Sequence, residues 1–392
     1  MLKVLSILGT RPEAVKLAPV ILELQKHPEA IQSLVCVTAQ HRQMLDQVLS
    51  LFGIAPDVDL DLMEPGQTLP DLTARVVVGV NHVLDKLQPD LVLVQGDTTT
   101  VMAAALAAFY QKIPVGHVEA GLRSYDPYSP FPEEINRRLA SVLSAYHFAP
   151  TETARQALLR EGVADAHIFV TGNPAIDALH LIQRRPRPAQ VDVLLAQAGL
   201  DRGHPDRKLL LVTAHRRENF GERFESLCNG LAQVAARNED VVLLYPVHLN
   251  PNVQEPVNRL LRGRARVVLT EPVEYDVMTH LMAAAYLVLT DSGGIQEEAP
   301  ALGKPVLVLR TETERPEGVA AGTARLIGPW ADRIVTETER LLRDPLAYQA
   351  MARAVSPYGD GHAAERIVTV VLAAHRARPA SVEAKTVLDV RE

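Results

Sequence analysis

Cysteine is nearly absent: Cys36 and Cys228 are the only two in 392 residues, far apart and each inside an apolar-rich stretch. Two buried reduced thiols fit that pattern better than a disulfide or a metal pair. Long apolar runs are missing as well, and none reaches the ~18 residues of a membrane span. The opening MLKVLSILGT has no charged leader region and no small-residue cleavage site. It reads as a first strand, not a signal peptide, and a cytoplasmic protein is expected. There is no basic block. Net charge is −7 and the Lys and Arg residues are scattered, which argues against a nucleic-acid binder. No G-x-G-x-x-G follows an apolar run and no G-x-x-x-x-G-K-[ST] occurs, so the nicotinamide-dinucleotide and P-loop signatures are both missing. No Cys/His spacing suits zinc. No metal and no cofactor are expected.

What the chain does have is globular composition, 47% hydrophobic and 22% charged, and a length that suits two domains. Short β-branched runs alternate with helical stretches. In the first half they cover residues 4–8, 34–38, 91–94, 115–118, 146–148 and 168–170. In the second half they cover 209–213, 241–245, 267–269, 286–290 and 306–309. Most are continuous rather than alternating, as in strands buried on both faces of a parallel sheet. Helical patterns over 14–26, 99–110 and 222–237 separate them. The repeated order predicts an α/β protein with two Rossmann-like, doubly wound parallel-sheet domains facing a cleft. The expected division is a first domain over 1–172, a linker over 173–207 and a second domain over 208–363. A closing helix over 364–377, packing back on the first domain, and a flexible tail over 378–392 complete it.

Open α/β sheets bind ligands beyond the carboxyl ends of their strands. The residues that follow each run therefore matter most. After the first run, GTRPEAVKLAP sets Arg11 and Lys16 near a helix N-terminus, where the dipole disfavours cations unless an anion is close. After the second, Gln40, His41 and Gln43 bunch polar groups that a capped helix start explains about as well. Asp97 precedes an Ala-rich helix and has ordinary N-cap duty as its plain reading. Glu119 ends a buried strand. Glu133 and Glu134 open a helix, where the dipole favours them, and Glu133 is spaced to pair with Arg137. Taken together, Asp97, Glu119 and Glu133 crowd one end of one sheet and are suited to acid and base work around a reacting carbon.

The second half has the matching anion site. His215, Arg216, Arg217 and Asn219 follow the 209–213 run, and a histidine there can move a proton near neutral pH. In LTDSGGIQEE, a plain tight turn would explain the glycine pair alone. The longer string, Ser292, Gly293 and Gly294 opening a helix, lets a diphosphate approach backbone N–H groups. Glu298, about one turn on, is placed to accept two ribose hydroxyls. Arg315, in TETERPE, is a further phosphate partner.

The motifs GTRPEAVKLAP, TAQHRQML, QGDTTT, HVEAGLRS, FPEEINRR, TAHRRENFG and TDSGGIQEEAPALGKPVLVLR with TERPE, in this order over residues 3–375, resemble those of the non-hydrolysing UDP-N-acetylglucosamine 2-epimerases. The resemblance implies a glycosyltransferase-B-like fold, a homodimer, and interconversion of UDP-N-acetylglucosamine and UDP-N-acetylmannosamine through bound UDP. It implies that Asp97, Glu119 and Glu133, with Lys16 and His215, serve catalysis. The implied substrate set is Arg11, Lys16, Asp97, Glu119, Arg137, His215, Val273, Met278, Ser292, Gly293, Gly294, Glu298 and Arg315. Met278 stands where an aromatic near the uracil is expected. Gln40, His41, Gln43, Glu134 and Arg216 would serve a second site through which substrate activates the enzyme. A retaining glycosyltransferase would share the nucleotide site but need an acceptor site. A hydrolysing epimerase often carries a kinase domain, for which no sequence is left. A nucleotide-sugar sensor would bind without turnover.

Overall fold

The computed structural model describes residues 1–38, 42–64, 66–200 and 207–377, without the side chains of 42–44 and 377. Seven parallel strands form the first sheet: β1 (Leu2–Leu8), β2 (Ile31–Val37), β3 (Val58–Asp59), β4 (Leu91–Gln95), β5 (Val115–Val118), β6 (Tyr146–Ala149) and β7 (Ile168–Val170). Their order across the sheet is β3-β2-β1-β4-β5-β6-β7. Six parallel strands form the second: β8 (Lys208–Thr213), β9 (Val241–Pro246), β10 (Val267–Thr270), β11 (Leu287–Thr290), β12 (Val306–Val308) and β13 (Ala324–Leu326), in the order β10-β9-β8-β11-β12-β13. In both sheets the strand order reverses once, between β1 and β4 and between β8 and β11, while all the strands stay parallel. That is where an open α/β sheet leaves a crevice at its carboxyl rim.

The apolar runs become strands because both faces are covered. Val4, Leu5, Ile7 and Leu8 of β1 and all of β4 are buried, with separate apolar clusters on either face of the first sheet. The second sheet is sandwiched in the same way. Two strands had no counterpart among the predicted runs. β3 is two residues long in a polar stretch, and β13 is three residues with a central arginine. Each gains its identity from its neighbour, β2 and β12 respectively, not from its own pattern. Among the described residues, no helix is long and apolar enough to cross a membrane.

The stretch read as a linker holds two helices, Pro174–Gln183 and Ala189–Gln197. The first is deeply buried and belongs to both cores. Its Ala178 and Ile182 pack in the first-sheet cluster, and its Leu179 packs in the second. The helix Ala363–Ala377 returns to the first sheet, where Ala364, Ile367, Val368 and Val371 join the core around β1. The chain therefore passes between the sheets at two places, near 171–174 and near 358–363. These passages touch. The Asn173 N–H donates to the Tyr358 carbonyl at 2.7 Å, and a Cβ on Gly172 would lie 3.2 Å from the Gly359 Cα.

Candidate functional site

The rim of the first sheet gathers three carboxylates, two of them with defined partners. Glu119 follows β5 with φ +63, a left-handed conformation that costs a non-glycine residue about 1 kcal/mol. Its side chain is held on every side. Lys16 Nζ pairs with Oε1, Gln95 Nε2 donates to Oε2, and Asn173 Nδ2 donates to Oε1 at 3.0 Å. Burial opposes its ionisation, but Lys16, Arg315 and the hydrogen bonds from Lys16 and Asn173 outweigh it and hold its pKa below the usual carboxylate value. Gly96, with φ +83, turns the chain out of β4 and presents Asp97, whose Oδ2 accepts from Arg137 Nη2 at 2.7 Å. Glu133 is half-buried at the first position of the helix Glu133–Leu143. Arg137 does not take it as partner. The guanidinium lies 3.1 Å from Glu134 and bridges that residue to Asp97.

Glu13 stands three residues before Lys16 but does not take it as partner. Instead its buried carboxylate accepts from the Gly9 and Thr10 N–H groups and from Thr98 Oγ1, tying the turn after β1 to the turn after β4. Burial raises its pKa to about 7, against the hydrogen bonds from Thr98, Gly9 and Thr10. Lys16 is thereby left free for Glu119.

At the rim of the second sheet, Asp291 is fully buried at the end of β11. It accepts from the His215 N–H at 2.9 Å, the Arg216 N–H at 2.8 Å and Asn219 Nδ2 at 3.2 Å, which fixes the loop after β8 against the helix Gly293–Ala301. Ser292 precedes that helix without a side-chain cap hydrogen bond, and among the described residues no side chain accepts from its first-turn N–H groups. Two guanidiniums frame the turn. A Cβ on Gly293 would lie 3.7 Å from Arg216 Nη2 and 3.8 Å from the Arg315 guanidinium. Larger side chains there would fill the space an anion needs. The His215 ring stacks on His248, with centroids 5.2 Å apart. Burial keeps its pKa below the ordinary histidine value, against the Asp291 charge.

Arg216 thus stands with the predicted phosphate residues, although its motif pointed to a second site. Glu134, from the same expected set, is fully buried and accepts from the Ser124 and Tyr125 N–H groups. Gln40 and His41, and the side chain of Gln43, lie outside the described residues. Val273 is buried in the core of the second sheet and Met278 packs half-buried against it. Arg11 opens the helix Arg11–Gln25 and, with Lys16, favours the charged form of Glu298 across the junction.

The two rims meet. Glu297 accepts from Arg315 Nε and, at 2.6 Å, from Asn173 Nδ2, while Thr151 Oγ1 donates to Glu317 at 3.0 Å. Sequence reasoning missed Asn173 because NPAID reads as an ordinary helix cap, which it also is: Asn173 Oδ1 accepts from the Ala175 N–H at 3.1 Å.

Glu298 faces the junction with 8% exposure. Burial, then the neighbouring Glu297 charge, push its pKa up to about 8 against Lys16 and Arg11. Between its unfolded value of 4.5 and that figure, the folded chain holds a proton that the unfolded chain has lost. Ligand-free stability therefore falls as pH rises from about 5 to about 8, with Glu13 acting in the same sense up to about pH 7. Glu298→Gln removes its share. Its melting temperature relative to wild type is expected to rise across that range, by roughly 2 °C or more. A difference that stays flat or falls with pH contradicts the assignment.

The family described as UDP-N-acetylglucosamine 2-epimerase matches residues 22–372. The curated UDP-N-acetylglucosamine 2-epimerase of Escherichia coli K12 is 57% identical over 369 residues, covering 94% of this chain and 97% of the relative. The crystal structure of the Neisseria meningitidis UDP-GlcNAc 2-epimerase bound to UDP-GlcNAc superposes with a TM-score of 0.85. It is 50% identical and covers 95% of this chain and 100% of that one. A Methanocaldococcus jannaschii UDP-GlcNAc 2-epimerase in complex with UDP-GlcNAc and UDP is 34% identical, with a TM-score of 0.76 over 94% of this chain and 99% of that one. The paired parallel sheets are the glycosyltransferase-B-like architecture of these structures, and the chain belongs to the UDP-N-acetylglucosamine 2-epimerase family.

Proposed function

We propose that the chain interconverts UDP-N-acetylglucosamine and UDP-N-acetylmannosamine by breaking and remaking the anomeric C1–O bond. C2 of the sugar is not next to a carbonyl, so its proton is not acidic by itself. Loss of UDP makes the step accessible. A carboxylate takes the C2 proton as the C1–O bond breaks anti to it, and the electron pair leaves with UDP. The product is bound 2-acetamidoglucal. Re-addition is syn: a β-phosphate oxygen returns to C1 and an acid delivers a proton to the other face of C2. The observation that carries this reading is the meeting of two unlike rims, carboxylates on one and an uncapped helix N-terminus framed by Arg216 and Arg315 on the other. The second rim suits departing diphosphate charge, and the first suits proton transfer.

In this reading Asp97, Glu119 and Glu133 share the acid and base work. Lys16 meets two anions in turn, Glu119 in the free protein and diphosphate in the complex. His215, Arg11, Ser292, Gly293, Gly294 and Arg315 hold UDP, and Glu298 takes the ribose. Arg216 belongs with the phosphates and is placed to report a second nucleotide there. The epimer supplies cell-surface polysaccharide synthesis in the cytoplasm. A homodimer is supported by the helix Glu133–Leu143, where Ile135, Leu139 and Val142 make one exposed apolar stripe beside Phe109 and Tyr110. Val142 is 83% exposed and Tyr110 64%, unusual for a monomer's apolar side chains on neighbouring helices.

Three measurements check the proposal. In D2O with UDP-N-acetylglucosamine, proton NMR is expected to show UDP-N-acetylmannosamine with deuterium at C2. Asp97→Asn and Glu119→Gln are expected to lower kcat roughly 100-fold or more while UDP still binds. Free N-acetylmannosamine would mean hydrolysis, and an unchanged sugar would mean a binding protein or a transferase. By sedimentation velocity the protein is expected to be a dimer, and Leu139→Asp a folded monomer. An equally dimeric L139D protein would move the interface elsewhere.

A further inference from the structure

Five side chains form one continuous chain across the junction: Lys16, Glu119, Asn173, Glu297 and Arg315. Two cations bracket two buried carboxylates, and a single neutral amide lies between the carboxylates. Glu119 belongs to the first sheet and Glu297 to the second. Both N–H groups of one amide are spent on them, at 3.0 and 2.6 Å. The amide orientation follows from chemistry, since a carbonyl oxygen turned toward two carboxylates would leave three acceptors together with no donor.

Asn173 has little freedom to do anything else. Its Oδ1 caps the helix Pro174–Gln183 and its backbone N–H is held by the Tyr358 carbonyl. The Tyr358 hydroxyl in turn accepts from the Gly318 N–H at 3.0 Å and donates to the Arg315 carbonyl at 3.3 Å. Gly172 and Gly359 pass so closely that neither has room for a side chain without displacing the other. Arg366 and Asp177 lace the same crossing, through the Thr171 carbonyl and the N–H groups of Ala363 and Ala364. The amide is therefore anchored at the point where both passages between the sheets cross.

We propose that Asn173 is a positioning residue that fixes the Glu119 carboxylate and couples its orientation to Glu297 and Arg315 on the nucleotide-binding half. The coupling is geometric. If the halves separate, Asn173 cannot keep both carboxylates, and Glu119 loses one of the donors that hold it in its left-handed backbone conformation. Bringing the halves together restores the donor. The base is thus correctly aimed only when the diphosphate half is in place, which limits proton abstraction to the closed complex. The proposal rests on the assignment of Glu119 to the proton-transfer step.

Helix capping is the competing explanation for an asparagine here, and it makes a different prediction. Asp and Ser cap as well as Asn, but neither can donate to two carboxylates. Asn173→Asp and Asn173→Ser should therefore keep the melting temperature of wild type if capping is the whole role, and keep its turnover too. Coupling predicts that both variants, folded by that criterion, lose kcat roughly tenfold or more with KM little changed. Asn173→Asp adds a charge beside Glu119 and removes a donor to its ionised form. The acid limb of its kcat–pH profile is expected to move up by about one unit, and that of N173S by less. Profiles and kcat equal to wild type in both variants would overturn the coupling. Wild-type protein that makes no epimer would instead overturn the functional reading, so the two failures are distinguishable.

Discussion

Parallel strand pairing is the constraint from which the rest follows. Every strand in both sheets runs the same way as its neighbours, so every carboxyl end emerges on one rim. Chemistry separated by a hundred residues of sequence is thereby brought to one place. The turns after β1 and β4 are joined by Glu13 and those after β8 and β11 by Asp291. In each sheet a fully desolvated carboxylate spans the topological switch point. The crevice that ordinarily accepts a ligand is thus bridged by a buried carboxylate, which takes backbone N–H groups after β1 and after β8 and, in the first sheet, the Thr98 hydroxyl after β4.

Charge within the junction is balanced rather than minimised. Lys16 and Arg315 have side chains 15% exposed, and their partners Glu119 and Glu297 are more buried still. Such pairs gain little net stability, because desolvation offsets much of their attraction. Their value is positional. A buried cation already facing a carboxylate can turn toward an incoming diphosphate without being brought in from water, and the strained backbone of Glu119 is retained because three side chains hold it. Glu298 differs: among the described residues it forms no salt bridge, and burial, then the Glu297 charge, push its pKa up to about 8.

The strands and the rim residues were readable because they obey local rules: continuous apolar runs, then glycine, acid or base at the turn. Partner choice was not. Lys16 is three residues from Glu13 yet pairs with Glu119, 103 residues away, because Glu13 is committed to the turn behind it. Arg137 is spaced to meet Glu133 yet bridges Glu134 to Asp97, 40 residues away. Asn173 looked like a linker's first residue, and its partner Glu297 lies 124 residues on. The helix after it looked like linker because a helix shared between two cores has no single apolar face to reveal it. β3 and β13 were invisible for the opposite reason, having almost no pattern of their own.

The central claim is that the second rim holds the nucleotide and presents the sugar to carboxylates on the first. A crystal structure of the protein with UDP-N-acetylglucosamine tests it most directly. The account predicts diphosphate oxygens on the Gly293 and Gly294 N–H groups between Arg216 and Arg315, ribose hydroxyls on Glu298, and sugar C2 within about 4 Å of Asp97 or Glu119. Diphosphate bound to the first rim, or C2 directed away from both carboxylates, would contradict it.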